Sequence, residues 1–304
     1  MRIQLRQLFL LVILIMPGIV CSSTIADSLP SVKAGAAVLI NSETGEVLYA
    51  KNPQRVMAPA STTKIMTAII AIEKGNLEQK VTVSGLAASV PGSSMYLRKG
   101  EVQTLHNLLY GLLLSSGNDA AKAIAENIAG TEKKFAVMMN EKARVLGMSN
   151  THFSNASGLP AEGHYTTAYD LAILSCYALK NPIFSEIVRT KVASVPSSRS
   201  RTGTTRSLTN HNKLLWQYPY TTGIKTGYTR KAGKCLVASA TQNNATLISV
   251  ILKSDVMYND SIQLLDFGFK TIKPKDKPVT EGLATETTTV ESTPTSESAG
   301  SNSN

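Results

Sequence analysis

Pro59-Ala60-Ser61-Thr62-Thr63-Lys64 runs directly into Ile65-Met66-Thr67-Ala68-Ile69-Ile70-Ala71-Ile72, and this stretch decides how the chain is organised. Pro59 presets the backbone where a helix begins, and Gly75-Asn76 ends it. The interval spans about three and a half helical turns. It is apolar on nearly every side, which predicts a buried helix. Ser61 falls in the first turn, where unpaired N–H groups and the positive end of the helix dipole favour developing negative charge. Lys64 lies on the same face one turn later, within reach of the Ser61 hydroxyl. A serine hydroxyl becomes a competent nucleophile when a neighbouring base takes its proton. Taken alone, the hexapeptide fits equally well a helix capped by Ser61 with Lys64 in solvent. The rest of the chain separates the two.

The 304 residues are 43% hydrophobic, enough for one large or two modest domains with a sizeable core. Met1 to Ala26 reads as a secretory signal. Arg2 and Arg6 open it, Leu8 to Met16 is unbroken and apolar, Pro17-Gly18 breaks it, and Thr24-Ile25-Ala26 offers small residues for cleavage. The apolar run is too short for a comfortable membrane span. Val20 precedes Cys21 where a lipoprotein signal needs a small residue, so lipidation is not expected.

Without Arg2 and Arg6 the basic residues fall from 31 to 29 against 21 acidic ones, a net charge of +8. An exported basic protein suits an anionic envelope of lipid or wall polymer. No Lys/Arg block interleaved with aromatics occurs, so nucleic acid is not an expected partner. Cys176 and Cys235 both sit in apolar runs that suit buried free thiols, and whether they pair is left open. His106, His152, His164 and His211 are scattered and no zinc-type spacing occurs, so neither a metal nor another cofactor is expected.

In chain order, Ala36 to Ile40 and Glu46 to Lys51 flank a five-residue loop and predict a hairpin. After the Ser61 helix comes a short strand around Val81 to Val83 and a loop from Val90 to Met95. Helices are predicted over Leu105–Leu114, Asp119–Ala129, from the Thr131 cap to Leu146, and over Thr167–Leu179, the last closed by Asn181-Pro182. Ser149 to Tyr165 reads as irregular, and Arg189 to Arg206 as an exposed loop or edge strand. Ile224–Tyr228, Cys235–Thr241 and Thr246–Leu252 read as strands, with a terminal amphipathic helix over Met257–Phe269. The fold class is therefore α/β in the broad sense, of the α+β kind. One antiparallel sheet is built from both chain ends and flanked by helices, and the middle forms a mainly helical subdomain. This places one domain over residues 27–272. From Lys273 to Asn304 the residues are mostly Thr, Ser, Glu, Pro and Lys, the composition of a disordered tail.

Three clusters carry the chemistry: Ser61-Thr62-Thr63-Lys64, Ser116-Gly117-Asn118 and Lys225-Thr226-Gly227. Separately, the second is by default a turn between helices and the third a strand end. Together, in this order and in an exported chain, they match the active-site set of penicillin-interacting serine enzymes. The chain resembles the low-molecular-mass penicillin-binding proteins, serine-type D-alanyl-D-alanine carboxypeptidases. The likeness runs from about Val32 to Phe269 and includes Asn150-Thr151-His152-Phe153, Gly158-Leu159 and Gly223-Ile224-Lys225-Thr226-Gly227-Tyr228-Thr229. Ala232-Gly233 and Leu236-Val237-Ala238-Ser239-Ala240 add to it, and Gly117 in the middle motif suits the carboxypeptidase branch.

The resemblance implies the penicillin-binding, β-lactamase-like transpeptidase fold and removal of the terminal D-alanine from peptidoglycan stem peptides. It implies Ser61 as nucleophile, Lys64 as its base, Ser116 as proton relay and Asn118 as the holder of Lys64 and the substrate amide. Lys225, with Thr226, Gly227 and Tyr228, would bind substrate, and the backbone N–H groups of Ser61 and Tyr228 would form an oxyanion hole. The implied partners are a stem peptide ending in D-Ala-D-Ala and β-lactam antibiotics as covalent inhibitors, in the periplasm or another extracytoplasmic compartment.

Where relatives often carry a further β-rich domain and an amphipathic anchor, this chain has its Thr/Ser/Glu-rich segment, so membrane attachment is left open. Many relatives also place an arginine where this chain has Leu252-Lys253-Ser254-Asp255, so the second carboxylate anchor is missing or supplied by Lys253. DD-endopeptidase cleavage of cross-links is the alternative this opens. A class A-like β-lactamase needs a glutamate followed four residues later by asparagine, and Glu162 is followed by Thr166 at that spacing. A non-catalytic wall-binding scaffold would have no need of an activated serine.

Overall fold

The computed structural model describes residues 29–197 and 205–272. The secretory signal and the tail expected from the sequence lie outside the described residues. A five-stranded antiparallel sheet forms the frame, in the order β2-β1-β9-β8-β7. Its strands are β1 (Ala36–Asn41), β2 (Val47–Lys51), β7 (Thr221–Thr229), β8 (Gly233–Gln242) and β9 (Ala245–Leu252). The two chain ends meet where β1 pairs with β9, Ala36 opposite Leu252 and Asn41 opposite Leu247.

Every residue of β1 is buried because both faces of the sheet are covered. Ala36, Val38 and Ile40 face the helical side, while Ala37 and Leu39 face α9 (Met257–Thr271). The helical side holds α1 (Lys64–Lys74), α3 (Leu105–Leu113), α4 (Asn118–Ala129), α5 (Glu132–Val145), α6 (Ala168–Leu179) and α7 (Pro182–Arg189). Two small two-stranded antiparallel sheets attach to it, β3 (Lys80–Thr82) with β4 (Val102–Thr104) and β5 (Val192–Pro196) with β6 (Thr205–Thr209). One-turn helices α2 (Gly85–Ala88) and α8 (Leu214–Gln217) complete the described elements.

α1 is the centre of the molecule. Its first eight residues, Lys64 to Ala71, are all buried, which agrees with the all-round apolar reading of that stretch. Ile65, Ile69 and Ile70 each stabilise the fold by roughly 1.5–3 kcal/mol relative to exposure. Ser61 does not lie in the first turn of this α-helix. It rides a separate 3-10 turn, Ala60–Thr63, with Lys64 as the first α-helical residue. The threonine hydroxyls tighten that turn, Thr62 Oγ1 donating to Pro59 O at 2.7 Å and Thr63 Oγ1 to Ala60 O at 2.8 Å.

Asn181-Pro182 does more than close α6. The Asn181 side chain accepts from the N–H groups of Ile183 and Phe184, and Pro182 opens α7, a helix that the sequence reading did not anticipate. Within the small polar stretch after Arg189, Val192–Pro196 forms β5 and pairs with β6. Thr104, Thr131 and Thr167 cap α3, α5 and α6, each accepting from an N–H three residues on. Cys176 and Cys235 are unpaired, and burial pushes both thiols up to about 11, as expected of inert buried thiols.

Candidate active site

The three motifs converge between the sheet and the helical layer. The Ser61 turn packs on β7, and Gly227 makes the approach possible. A Cβ there would stand 3.0 Å from the Ser61 N and 3.2 Å from the Thr62 N. β7 is the last strand of the sheet, so its outer backbone edge lies along the cleft. A cavity of about 220 Å³ is lined by Ser61, Ser116, Thr226, Gly227 and Tyr228. Ser93, His211, Lys234, Met257 and Tyr258 complete its wall.

Lys64 is completely enclosed, and its Nζ has three partners drawn from three parts of the chain. Ser61 Oγ lies at 3.0 Å, Asn118 Oδ1 at 2.8 Å and the Ser157 carbonyl at 2.6 Å. Burial drives the Lys64 ammonium well below the ordinary lysine range. The charge of Lys225 lowers it further, and Asp119 opposes both. Lys225 is equally enclosed, and burial pushes it down to about 7.

Asn118 is placed by its position as the first residue of α4. Its backbone N–H donates to Ser93 O at 2.7 Å and its Nδ2 to Pro91 O at 2.7 Å, which leaves Oδ1 for Lys64. Ser116 stands in the break between α3 and α4 at φ +58°, buried and lining the cleft. Asp119 anchors the facing loop, accepting from the N–H groups of Met95 and Leu97 and from the Ser94 hydroxyl. Lys225 Nζ reaches the Thr226 carbonyl at 3.2 Å, and Tyr228 is 65% exposed at the mouth.

All eight residues expected from the motifs therefore lie in or beside one cleft. Lys253 does not. At φ +56° it lies against Gly35 and Gly233 and lines a separate cavity with Arg55, Met57, His164 and Lys231. The second cation of the cleft is Lys234, opposite Tyr228 in the β7–β8 register. Glu162 is also outside the lining of the cleft. Three contributors escaped the sequence reading. The Ser157 carbonyl acts through main chain and has no residue-type signal. Lys234 is marked only by its place opposite Tyr228. His211, held low by burial and by the charges of Lys225 and Lys64, looked like one more scattered histidine.

Comparison with known proteins agrees with this geometry. Residues 23–256 match the D-alanyl-D-alanine carboxypeptidase family. The chain is 42% identical over 245 residues to D-alanyl-D-alanine carboxypeptidase DacF of Bacillus subtilis, covering 78% of this chain and 62% of that protein. It is 37% identical to DacC of Escherichia coli K12, covering 79% and 62%. The chain thus spans under two thirds of the length of these two relatives. The D-alanyl-D-alanine carboxypeptidase of Streptomyces sp. strain K15 is 34% identical, covering 79% of this chain and 88% of that one. The crystal structure of the Streptomyces K15 DD-transpeptidase superposes with a TM-score of 0.75 at 33% identity, covering 79% of this chain and 98% of that one. With the serine of the 3-10 turn in contact with the lysine that opens α1, and the other two motifs closing the same cleft, the chain belongs to the D-alanyl-D-alanine carboxypeptidase family of serine peptidases.

Proposed function

We propose that the protein removes the terminal D-alanine from peptidoglycan stem peptides through a Ser61 acyl-enzyme, and that penicillins acylate the same serine. The set of partners around Lys64 Nζ carries this reading. Asn118 Oδ1 and the Ser157 carbonyl can only accept hydrogen bonds, so in the neutral amine they take both N–H groups. The lone pair is then left facing Ser61 Oγ at 3.0 Å, the geometry of a general base.

Ser61 Oγ attacks the carbonyl carbon of the penultimate D-alanine as its proton passes to Lys64 Nζ. Backbone N–H groups of Ser61 and Tyr228 meet the oxyanion that forms. Ser116 relays the proton to the leaving nitrogen, the C–N bond breaks and D-alanine departs. Water then releases the shortened peptide and restores the serine. The substrate binds along the open edge of β7, with its amide held by Asn118 and its terminal carboxylate attracted by Lys225, Thr226 and Lys234.

Among the described residues Lys234 and no acid line the cleft, and Lys225 is enclosed next to Thr226, which favours a free terminal carboxylate and so a carboxypeptidase over an endopeptidase. A deacylating glutamate of the β-lactamase kind has no counterpart in the cleft lining. A buried lysine of depressed pKa beside a serine serves no purpose in a binding scaffold. A peptidoglycan substrate and the secretory reading of Met1 to Ala26 both support action outside the cytoplasm. Mass spectrometry of muropeptides incubated with the protein is expected to show loss of one D-alanine per stem. Ser61→Ala is expected to abolish that loss together with fluorescent-penicillin labelling. Labelling that persisted in Ser61→Ala would move the nucleophile elsewhere.

A further inference from the structure

The Ser61 turn is held from behind by a hydrogen-bond chain that the reaction itself does not use. His164 is buried, and its ring packs edge-on against Phe153 with centroids 5.9 Å apart. Its Nδ1 accepts from the Ser154 N–H at 2.9 Å, and its Nε2 lies 2.9 Å from Thr63 Oγ1. Burial, helped by His152 and Lys64, pushes the imidazole down to about 4, so at neutral pH the ring carries one proton. Because Nδ1 is taken as an acceptor, that proton sits on Nε2 and donates to Thr63 Oγ1. The Thr63 hydroxyl in turn donates to the Ala60 carbonyl at 2.8 Å. Every donor and acceptor in this line has one assignment.

The line ends at a strained residue. Ala60 has φ +49°, a left-handed conformation that costs an alanine about 1–2 kcal/mol. The next residue is the nucleophile. The Ala60 carbonyl is also covered by Gly158, at which a Cβ would stand 1.9 Å from that oxygen and 2.9 Å from Thr63 Oγ1. Thr67 Oγ1 ties α1 to the same loop through the Ala156 carbonyl at 2.7 Å. The segment from Ser154 to His164 thus holds the turn from the side away from the cleft.

We infer that His164 is a positioning residue for catalysis, which acts through Thr63 to hold the Ser61 turn in register with Lys64. This rests on the reading of Ser61 as nucleophile. Loss of the chain lets Ala60 relax toward ordinary φ and swings Ser61 Oγ away from Lys64 Nζ. A displacement of about 1 Å at a reacting atom costs up to about a hundredfold in rate.

The test is the acylation rate by a fluorescent penicillin, resolved into maximal rate and half-saturating concentration, in the full-length protein. His164→Phe and Thr63→Val are each expected to lower the maximal rate at least about tenfold with half-saturation little changed. The double variant is expected to be no slower than the worse single one, because both break one line. His164→Gln, whose side-chain N–H can reach Thr63, is expected to recover most of the rate. Thermal unfolding of each variant, with kinetics taken well below its midpoint, separates this from a purely structural role. That role would lower the midpoint and leave folded molecules reacting normally. A normal maximal rate in folded Thr63→Val, losses that add in the double variant, or a folded His164→Gln as slow as His164→Phe would each overturn the inference. If His164→Phe does not fold, a wild-type maximal rate in Thr63→Val overturns it alone. A wild-type protein that takes no label at all would instead defeat the acyl-enzyme reading.

Discussion

Gly158→Ala perturbs the site from a position outside the lining of the cleft. Gly158 has φ +85°, where an L side chain is strained by about 1–2 kcal/mol. The new methyl would stand 1.9 Å from the Ala60 carbonyl oxygen, 2.4 Å from its carbon and 2.9 Å from Thr63 Oγ1. Ordinary carbon–oxygen contact needs roughly 3.3 Å, so loop and turn must part by more than about 1 Å. All three obstacles belong to the tightest turn in the site, and two are backbone atoms, so no rotamer change relieves the clash. Overpacking of this kind costs about 1–3 kcal/mol, for a sum near 2–5 kcal/mol. For a domain of this size each kcal/mol lowers the melting temperature by about 2–4 °C, so a drop of roughly 4–20 °C is expected.

Separation of the loop also withdraws the Ser157 carbonyl from Lys64, at 2.6 Å in the native site. One of the two acceptors that orient the lone pair toward Ser61 is then lost. Penicillin acylation measured well below the new melting temperature should fall by about tenfold to a hundredfold. Calorimetry paired with stopped-flow labelling gives both readouts on one preparation. A Gly158→Ala protein with native melting temperature and native acylation would refute the whole account of how the serine turn is held.

The two charges around Lys64 should move its pH profile in opposite directions. Acylation needs neutral Lys64, so its rate rises with pH through that group's ionisation. Lys225→Met removes a lowering influence, and the ascending limb should shift to higher pH. Asp119→Asn removes a raising influence, and the limb should shift to lower pH. An unmoved limb in Lys225→Met would mean that Lys225 does not tune the base. Lys64→Arg should be nearly inert toward penicillin at every pH, because guanidinium keeps its proton in the working range; near-native acylation would remove the lysine-base mechanism.

Much of this was legible before any coordinates, for reasons that differ from element to element. α1 was readable because burial on nearly all sides leaves Thr67 as the one polar residue between Ile65 and Ile72. The sheet strands were readable from their apolar runs, and β1 is apolar from Ala36 to Ile40 because helices cover both faces. The motif residues declared themselves by chemical type and order. What was lost followed from local competition. Pro182 is an equally good stop signal and start signal, and only the Asn181 cap turns it into the latter. The 3-10 turn at Ser61 depends on threonine hydroxyls folding back on their own carbonyls, a choice propensity does not decide. Lys253 was drawn toward the cleft by its place after β9, yet its left-handed backbone sends it to a different cavity.

The three partners of Lys64 also make reactivity a clock for assembly. They come from positions 3, 54 and 93 residues along the chain from the lysine, and the cleft's last wall is a strand that joins the sheet beside β8. The sheet itself cannot close until β9 has found β1 across most of the domain. Pairings so distant in sequence form late in folding. A half-folded chain therefore has a serine and a lysine but no oriented base, and it is chemically silent. Penicillin labelling during refolding should lag behind the return of helical signal, and the length of the lag would time the closure of the sheet.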